Sequence, residues 1–149
     1  MRSFLGRYLF LVTRLAIGTL LIAASIDKIA HPAEFAKIVH NYQILPDGLI
    51  NITAITLPWI EALLGVLIVA GKWLPGAAVL ANLLLVGFWA ALLYNFARGL
   101  NVHCGCFTTS VTGTPQMGWY IVRDSFFLAL ALALTAQVFR SKSAGTASR

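Results

Sequence analysis

Four long apolar runs dominate this chain and leave few folds open to it. A helix that crosses a bilayer needs about 20 mostly apolar residues, and residues 8–26, 52–70, 73–97 and 118–139 each supply such a stretch. Charged residues make up only 11% of the 149 positions, less than half the roughly 25% of a soluble domain. Lipid offers backbone groups no hydrogen-bond partner, so each run must close its bonds within itself as a helix. The expected fold class is therefore an all-α membrane protein, a four-transmembrane-helix bundle occupying residues 1–140. Ser141 to Arg149 is polar and reads as a disordered cytoplasmic tail. The net charge of +6 is assigned to topology and anionic lipid headgroups rather than to nucleic acid, because the bases flank the apolar runs.

The first run follows Arg2 and Arg7 and reaches Ala23-Ala24-Ser25, which resembles a signal-peptide cleavage site. It is longer than the roughly 7–15 apolar residues of a signal peptide and runs on into Asp27-Lys28, so it is read as a retained span. Arg2, Arg7, Lys72, Arg140, Lys142 and Arg149 collect at one end of the bundle. At the other end Lys28, Lys37 and Arg98 are diluted by Asp27, Glu34 and Asp47. The more basic end is expected in the cytoplasm with both termini. The first and third connections then face the periplasm of a bacterial inner membrane, where disulfides persist.

Between the first two spans, Phe35, Ile38, Val39 and Tyr42 repeat at helical spacing between Pro32 and Pro46. That pattern predicts a short amphipathic helix on the outer surface, lying in the leaflet or packed over the end of the bundle. From either position it can roof the third connection.

That connection carries Asn101-Val102-His103-Cys104-Gly105-Cys106-Phe107 and the only two cysteines. Residues two apart reach disulfide distance if the chain bends, and Gly105, lacking a Cβ, permits the bend. So small a ring closes almost no loop and adds little stability, whereas strained disulfides tend to be labile or catalytic. His103 is a candidate to activate Cys104 as a cationic neighbour. His103, Cys104 and Cys106 supply at most three ligands, short of a closed zinc site, although Cu(I) accepts two thiolates. Thiols alone carry electrons across a bilayer only with a second pair, which is absent. The pair must therefore exchange with a partner protein, a small thiol or a quinone.

Glu61 lies about 13 Å into the second span at about 1.5 Å per residue, and a carboxyl at that depth calls for a named partner. Arg123, entering from the outer side with Asp124 beside it, is the expected partner, while Arg14 approaches from the inner side. Pro58, one turn before Glu61, is expected either to kink the helix and free a carbonyl or to belong to its first turn. Asn82 and Asn95 are expected to bond between helices, and Gly18, Gly65 and Gly87 to let helices approach closely. Trp59, Trp73 and Trp119 suit membrane interfaces.

Several of these residues together resemble the MauE branch of the DoxX-like membrane proteins. They are Asp27-Lys28-Ile29 with His31-Pro32, Phe35, Asn41-Tyr42 and Leu45-Pro46, then Leu57-Pro58-Trp59-Ile60-Glu61 with Gly65. Cys104-Gly105-Cys106-Phe107, Trp119 and Arg123-Asp124 complete the pattern. The family usually has glycine after Cys-Gly-Cys-Phe, where this chain has Thr108. The resemblance implies a four-helix inner-membrane protein accompanying a thioredoxin-like protein in disulfide handling. In the name-giving case that handling serves maturation of the disulfide-rich small subunit of methylamine dehydrogenase. The expected function is a thiol–disulfide redox component, with Cys104 and Cys106 in the reacting role. His103, Gly105, Glu61, Pro58, Arg123 and Asp124 support them, and a quinone is a candidate cofactor. Whether such a component counts as an oxidoreductase in its own right is left open. The alternatives are a non-catalytic membrane anchor or assembly factor and a thiolate Cu or Zn carrier.

Overall fold

The computed structural model describes the backbone of residues 2–105 and 116–146. Among these residues the chain is helical without strands: α1 (Arg2–Ala30), α2 (Pro32–Asn41), α3 (Asp47–Ala70), α4 (Leu74–Ala97) and α5 (Met117–Thr146). α1, α3, α4 and α5 are each long and apolar enough to cross a membrane. They close into a ring in which α1 and α4 each pack against both α3 and α5. Leu83, Ile52, Ile55 and Val122 face outward and are exposed, a surface that lipid covers and water would penalise. The protein is a multi-pass membrane protein.

α3 and α4 end at Ala70 and Ala97, where their hydropathy runs end; other helix ends differ from the hydropathy boundaries for local reasons. α1 runs past residue 26 through Asp27 and Lys28, and stops where Pro32 restricts His31 away from helical geometry. Pro32 opens α2 in its first turn, where its missing N–H costs nothing. α3 begins at Asp47 rather than at residue 52, behind an extended Pro46 and with the Asp47 carboxylate in the first turn. Pro58 is thus well inside α3, beyond any first turn, and leaves the Ala54 carbonyl without its helical donor. α5 continues to Thr146, into the tail read as disordered, since extending a formed helix costs far less than nucleating one. Residues 147–149 lie outside the described residues.

α1 and α3 meet at a crossing of glycines. A Cβ on Gly18 would lie 3.0 Å from the Gly65 carbonyl, and one on Gly65 would lie 2.8 Å from the Gly18 carbonyl. Backbone-to-backbone approach of this kind needs glycine on both helices. Gly87 behaves differently: a Cβ there meets nothing within 4 Å, so it widens a space instead of closing a contact. At the far end of α3, Gly71 adopts φ +70° and its N–H bonds Ile68 O while Lys72 N–H bonds Leu67 O. Arg14 adds Nη2 to Val69 O at 3.3 Å, a cation on the negative end of the helix dipole. Its guanidinium is engaged there rather than extended to the surface.

The half of the bundle nearest the termini is filled by Ile17, Leu21, Leu64, Ile68, Ala131 and Leu134 among others. Asn82 ties α4 to α5 there, donating to Ala131 O at 3.1 Å and Thr135 Oγ1 at 2.6 Å. Asn95 does not bridge as expected; its Nδ2 returns to Ala91 O of its own helix. A second tie between α4 and α5 comes from Trp89 Nε1 to Ser125 Oγ at 2.9 Å.

α2 packs on protein, with Phe35 and Ile38 buried against Ala54 and Leu57 of α3. These contacts with α3 make α2 a cap over the bundle end instead of a helix floating in the leaflet.

Candidate functional site

Beneath α2 the segment Val102–Gly105 returns from α4 toward α5, and here the chemistry-bearing side chains converge. Gly105 has φ +64°, and a Cβ there would lie 3.0 Å from Ile38. Both the conformation and the room therefore require glycine. Tyr42 donates its hydroxyl to the Cys104 carbonyl at 3.3 Å, and Arg98 Nη2 donates to Gln43 Oε1 at 3.0 Å. Together these pin the end of α2 over the segment. Burial, and then the negative charge of Asp124, push the Tyr42 phenol above its ordinary range, so it stays a donor.

Cys104 is disulfide-bonded, and the sequence holds one other cysteine, Cys106. Cys106, Phe107 and Thr108, the last standing where the family usually has glycine, lie outside the described residues. Cys104 is buried, at 7% exposure, which hinders direct approach of a protein partner to it. Arg123 Nη2 lies 3.2 Å from that sulfur and Asp124 Oδ2 lies 3.4 Å from it. Arg123 also grips Asp124 through Nε at 2.9 Å and Nη2 at 2.8 Å. A disulfide sulfur has no proton to give the carboxylate, but a reduced Cys104 would have one. A thiolate there would meet the guanidinium. The pair is thus arranged for the reduced state as much as for the oxidised one.

His103, the expected activator, makes no hydrogen bond or ion pair among the described residues. The cation at the sulfur comes from α5 instead, as Arg123. Glu61 is also partnered differently from expectation. Lys28 Nζ lies 2.8 Å from both Glu61 oxygens, with each side chain only 2% exposed. The expected Glu61–Arg123 pair does not form. The close glycine crossing of α1 on α3 and the extension of α1 to Ala30 bring Lys28 to Glu61 first, while Arg123 is taken up by Asp124. The Lys28 ammonium also sits 5.2 Å and 5.0 Å from the ring centres of Phe35 and Phe88.

Lys28, Glu61 and Asp124 line a common cavity of about 30 Å³, enough for a water between them. The structure therefore gathers Cys104, Arg123 and Asp124 at the sulfur, with Glu61 one layer deeper beside Pro58. Two residues of this cluster, Lys28 and Tyr42, are not among the site residues expected from sequence. Hydropathy drops at Asp27 and puts Lys28 in a connection, although Glu61 demands a cation. Tyr42 was read as one apolar position of an amphipathic helix.

The family profile described as "Methylamine utilisation protein MauE" matches residues 6–137. The methylamine utilization protein MauE of Paracoccus denitrificans is 37% identical over 123 residues, 81% of this chain and 65% of that protein. The protein of the same name from Methylorubrum extorquens is 37% identical over 113 residues, covering 75% of this chain and 60% of its own length. That of Methylophilus methylotrophus is 32% identical over 116 residues, 77% of this chain and 60% of its own. The chain spans somewhat less than two thirds of the length of these relatives. No solved structure matches it.

Proposed function

This chain belongs to the MauE family, and from that premise we propose that it is a thiol–disulfide exchange component of a bacterial inner membrane. It serves methylamine utilisation by acting on a periplasmic thioredoxin-fold partner. The observation that carries this reading is the placement of the Cys104 sulfur between Arg123 and Asp124 under the α2 cap. A cysteine kept for packing alone has no use for a half-buried guanidinium and a buried carboxylate at its sulfur.

In this reading the link is Cys104–Cys106. A thiolate of the partner attacks the Cys106 sulfur and expels Cys104 as a thiolate, whose charge Arg123 receives. The partner's second thiol then attacks the mixed disulfide and releases Cys106. Two thiols of the partner become a disulfide, the two cysteines here become thiols, and the protons follow the electrons, with Asp124 next to Cys104 to hand one on. The burial of Cys104 assigns the first encounter to Cys106. The basic end of the bundle, with both termini, lies in the cytoplasm.

Trapping tests this. In Cys104→Ser cells, acid-quenched and treated with a mass-shifting maleimide, Cys106 accumulates a disulfide adduct with a thioredoxin-fold protein. Cys106→Ser cells accumulate far less of it. Full growth on methylamine by both serine strains, with no adduct in either, overturns the reading and leaves a membrane anchor that docks partners without using its sulfur.

A further inference from the structure

Once its disulfide has been spent, the pair must be reoxidised, and the surroundings of Cys104 indicate by what. α2, α3 and α4 border an open-sided cavity of about 320 Å³ whose wall includes the Cys104 residue, Phe35, Leu57, Gly87 and Phe88. That volume is at the lower end of the roughly 300–1,000 Å³ usual for small-molecule sites. Ile44 and Leu45 of the α2–α3 connection complete it. Almost all of the wall is hydrocarbon, and its exceptions are few. Tyr42 spends its hydroxyl on the Cys104 carbonyl. Thr53 also lines the cavity, and among the described residues its hydroxyl makes no hydrogen bond. Most threonines in the middle of a helix bond the carbonyl four residues back, as Thr13 and Thr56 do here.

We propose that this cavity binds a lipid-soluble quinone, which takes the electrons of the reduced Cys104–Cys106 pair; the proposal rests on the exchange role above. The chemistry selects the occupant. Closing a disulfide from two thiols releases two electrons and two protons, and a 1,4-benzoquinone accepts both pairs at once. Two S–H bonds break, one S–S bond forms, and the quinone leaves as a hydroquinone with two new O–H bonds. Flavin and nicotinamide nucleotides carry phosphates, and the wall offers them no free cation, since Lys28 is held by Glu61 on the far side of Phe35 and Phe88. Molecular oxygen needs no shaped cavity. A ring in this space lies against the Cys104 residue, and the Thr53 hydroxyl is free to donate to one quinone carbonyl. Gly87 keeps the space open, because any side chain there would extend into it.

The test uses the full-length protein in lipid nanodiscs, reduced, freed of reductant and kept anaerobic. A decyl-substituted benzoquinone is added and its reduction followed in the ultraviolet, with thiols counted in parallel. Wild type loses two thiols per quinone reduced. Gly87→Leu slows that reaction by about tenfold or more through occupation of the space, and Thr53→Val raises the quinone KM roughly fivefold for the loss of one hydrogen bond. In both variants thiol exchange with oxidised glutathione continues. If the wild-type thiols exchange with glutathione but survive the quinone, or if Gly87→Leu reacts as fast as wild type, the quinone proposal fails alone. If the thiols exchange with neither, the exchange role fails with it.

Discussion

Asp124 stands where the proton of a reduced Cys104 would go, and Arg123 stands where the charge left behind would be felt. A positioned base next to a reacting thiol is worth about 10²–10⁴ in rate, and the thiolate is the nucleophilic form. In a Cys106→Ser background, Asp124→Asn should therefore slow alkylation of Cys104 by iodoacetamide at pH 7 by about a hundredfold. Raising the pH should recover the rate, since hydroxide replaces the missing base. Arg123→Gln should slow it as well, with Arg123→Lys retaining part of the rate. Loss in Asp124→Asn that no pH restores means the carboxylate only holds the fold. At this scale the sequence made the cysteines, Arg123 and Asp124 individually visible, but not their meeting. The neighbour along the chain, His103, misses the sulfur, whereas residues about twenty positions away on α5 reach it. Contact across a connection depends on how the chain returns, which adjacency in sequence does not encode.

The pairing of α1 with α3 depends on two features that act at different depths, the Gly18–Gly65 crossing and the Lys28–Glu61 ion pair. Breaking a buried pair from one side leaves an uncompensated charge and costs about 3–5 kcal/mol, while replacing both partners with apolar groups of similar size is often neutral. Lys28→Met and Glu61→Leu should each lower the thermal stability of the purified protein in detergent by that order, and the double variant should recover most of the loss. Recovery of stability with thiol exchange intact makes the pair a structural device. Recovery of stability with exchange lost makes it part of proton handling beneath Asp124. Hydropathy located every span and both the Ala70 end of α3 and the Ala97 end of α4, but not the ends that prolines and ion pairs fix, those of α1 and the start of α3. Lys28 is the instructive case: its charge lowers the hydropathy that marks a span, yet Glu61 neutralises it within the bundle, so α1 carries on. The amphipathic pattern of α2 was visible at Phe35 and Ile38, but what would cover them depended on the opposing surface of α3.

Across the whole molecule the two ends are chemically unlike, and the structure sharpens the contrast that charge counting began. Lys28 is buried against Glu61 and so drops out of the loop charges that orient the chain. At the α2 end Lys37 is paired with Glu34 at 2.9 Å and Arg98 is bonded to Gln43, and the Asp47 side chain there is 91% exposed. At the opposite end the α3–α4 turn carries an exposed Lys72 with no acidic residue near it in sequence. Basic residues in short connections are retained in the cytoplasm, so the covered end with Cys104 should face outward, where a disulfide persists. Single cysteines placed at Asp47 or Lys72, in a Cys104→Ser and Cys106→Ser background, decide this. A membrane-impermeant maleimide applied to intact spheroplasts should label the Asp47→Cys protein, and should label the Lys72→Cys protein only after the membrane is opened. The reverse pattern would set the sulfur in the reducing cytoplasm. The Cys104 link could not then act as an oxidant of exported proteins, and the cavity beside it would need another occupant.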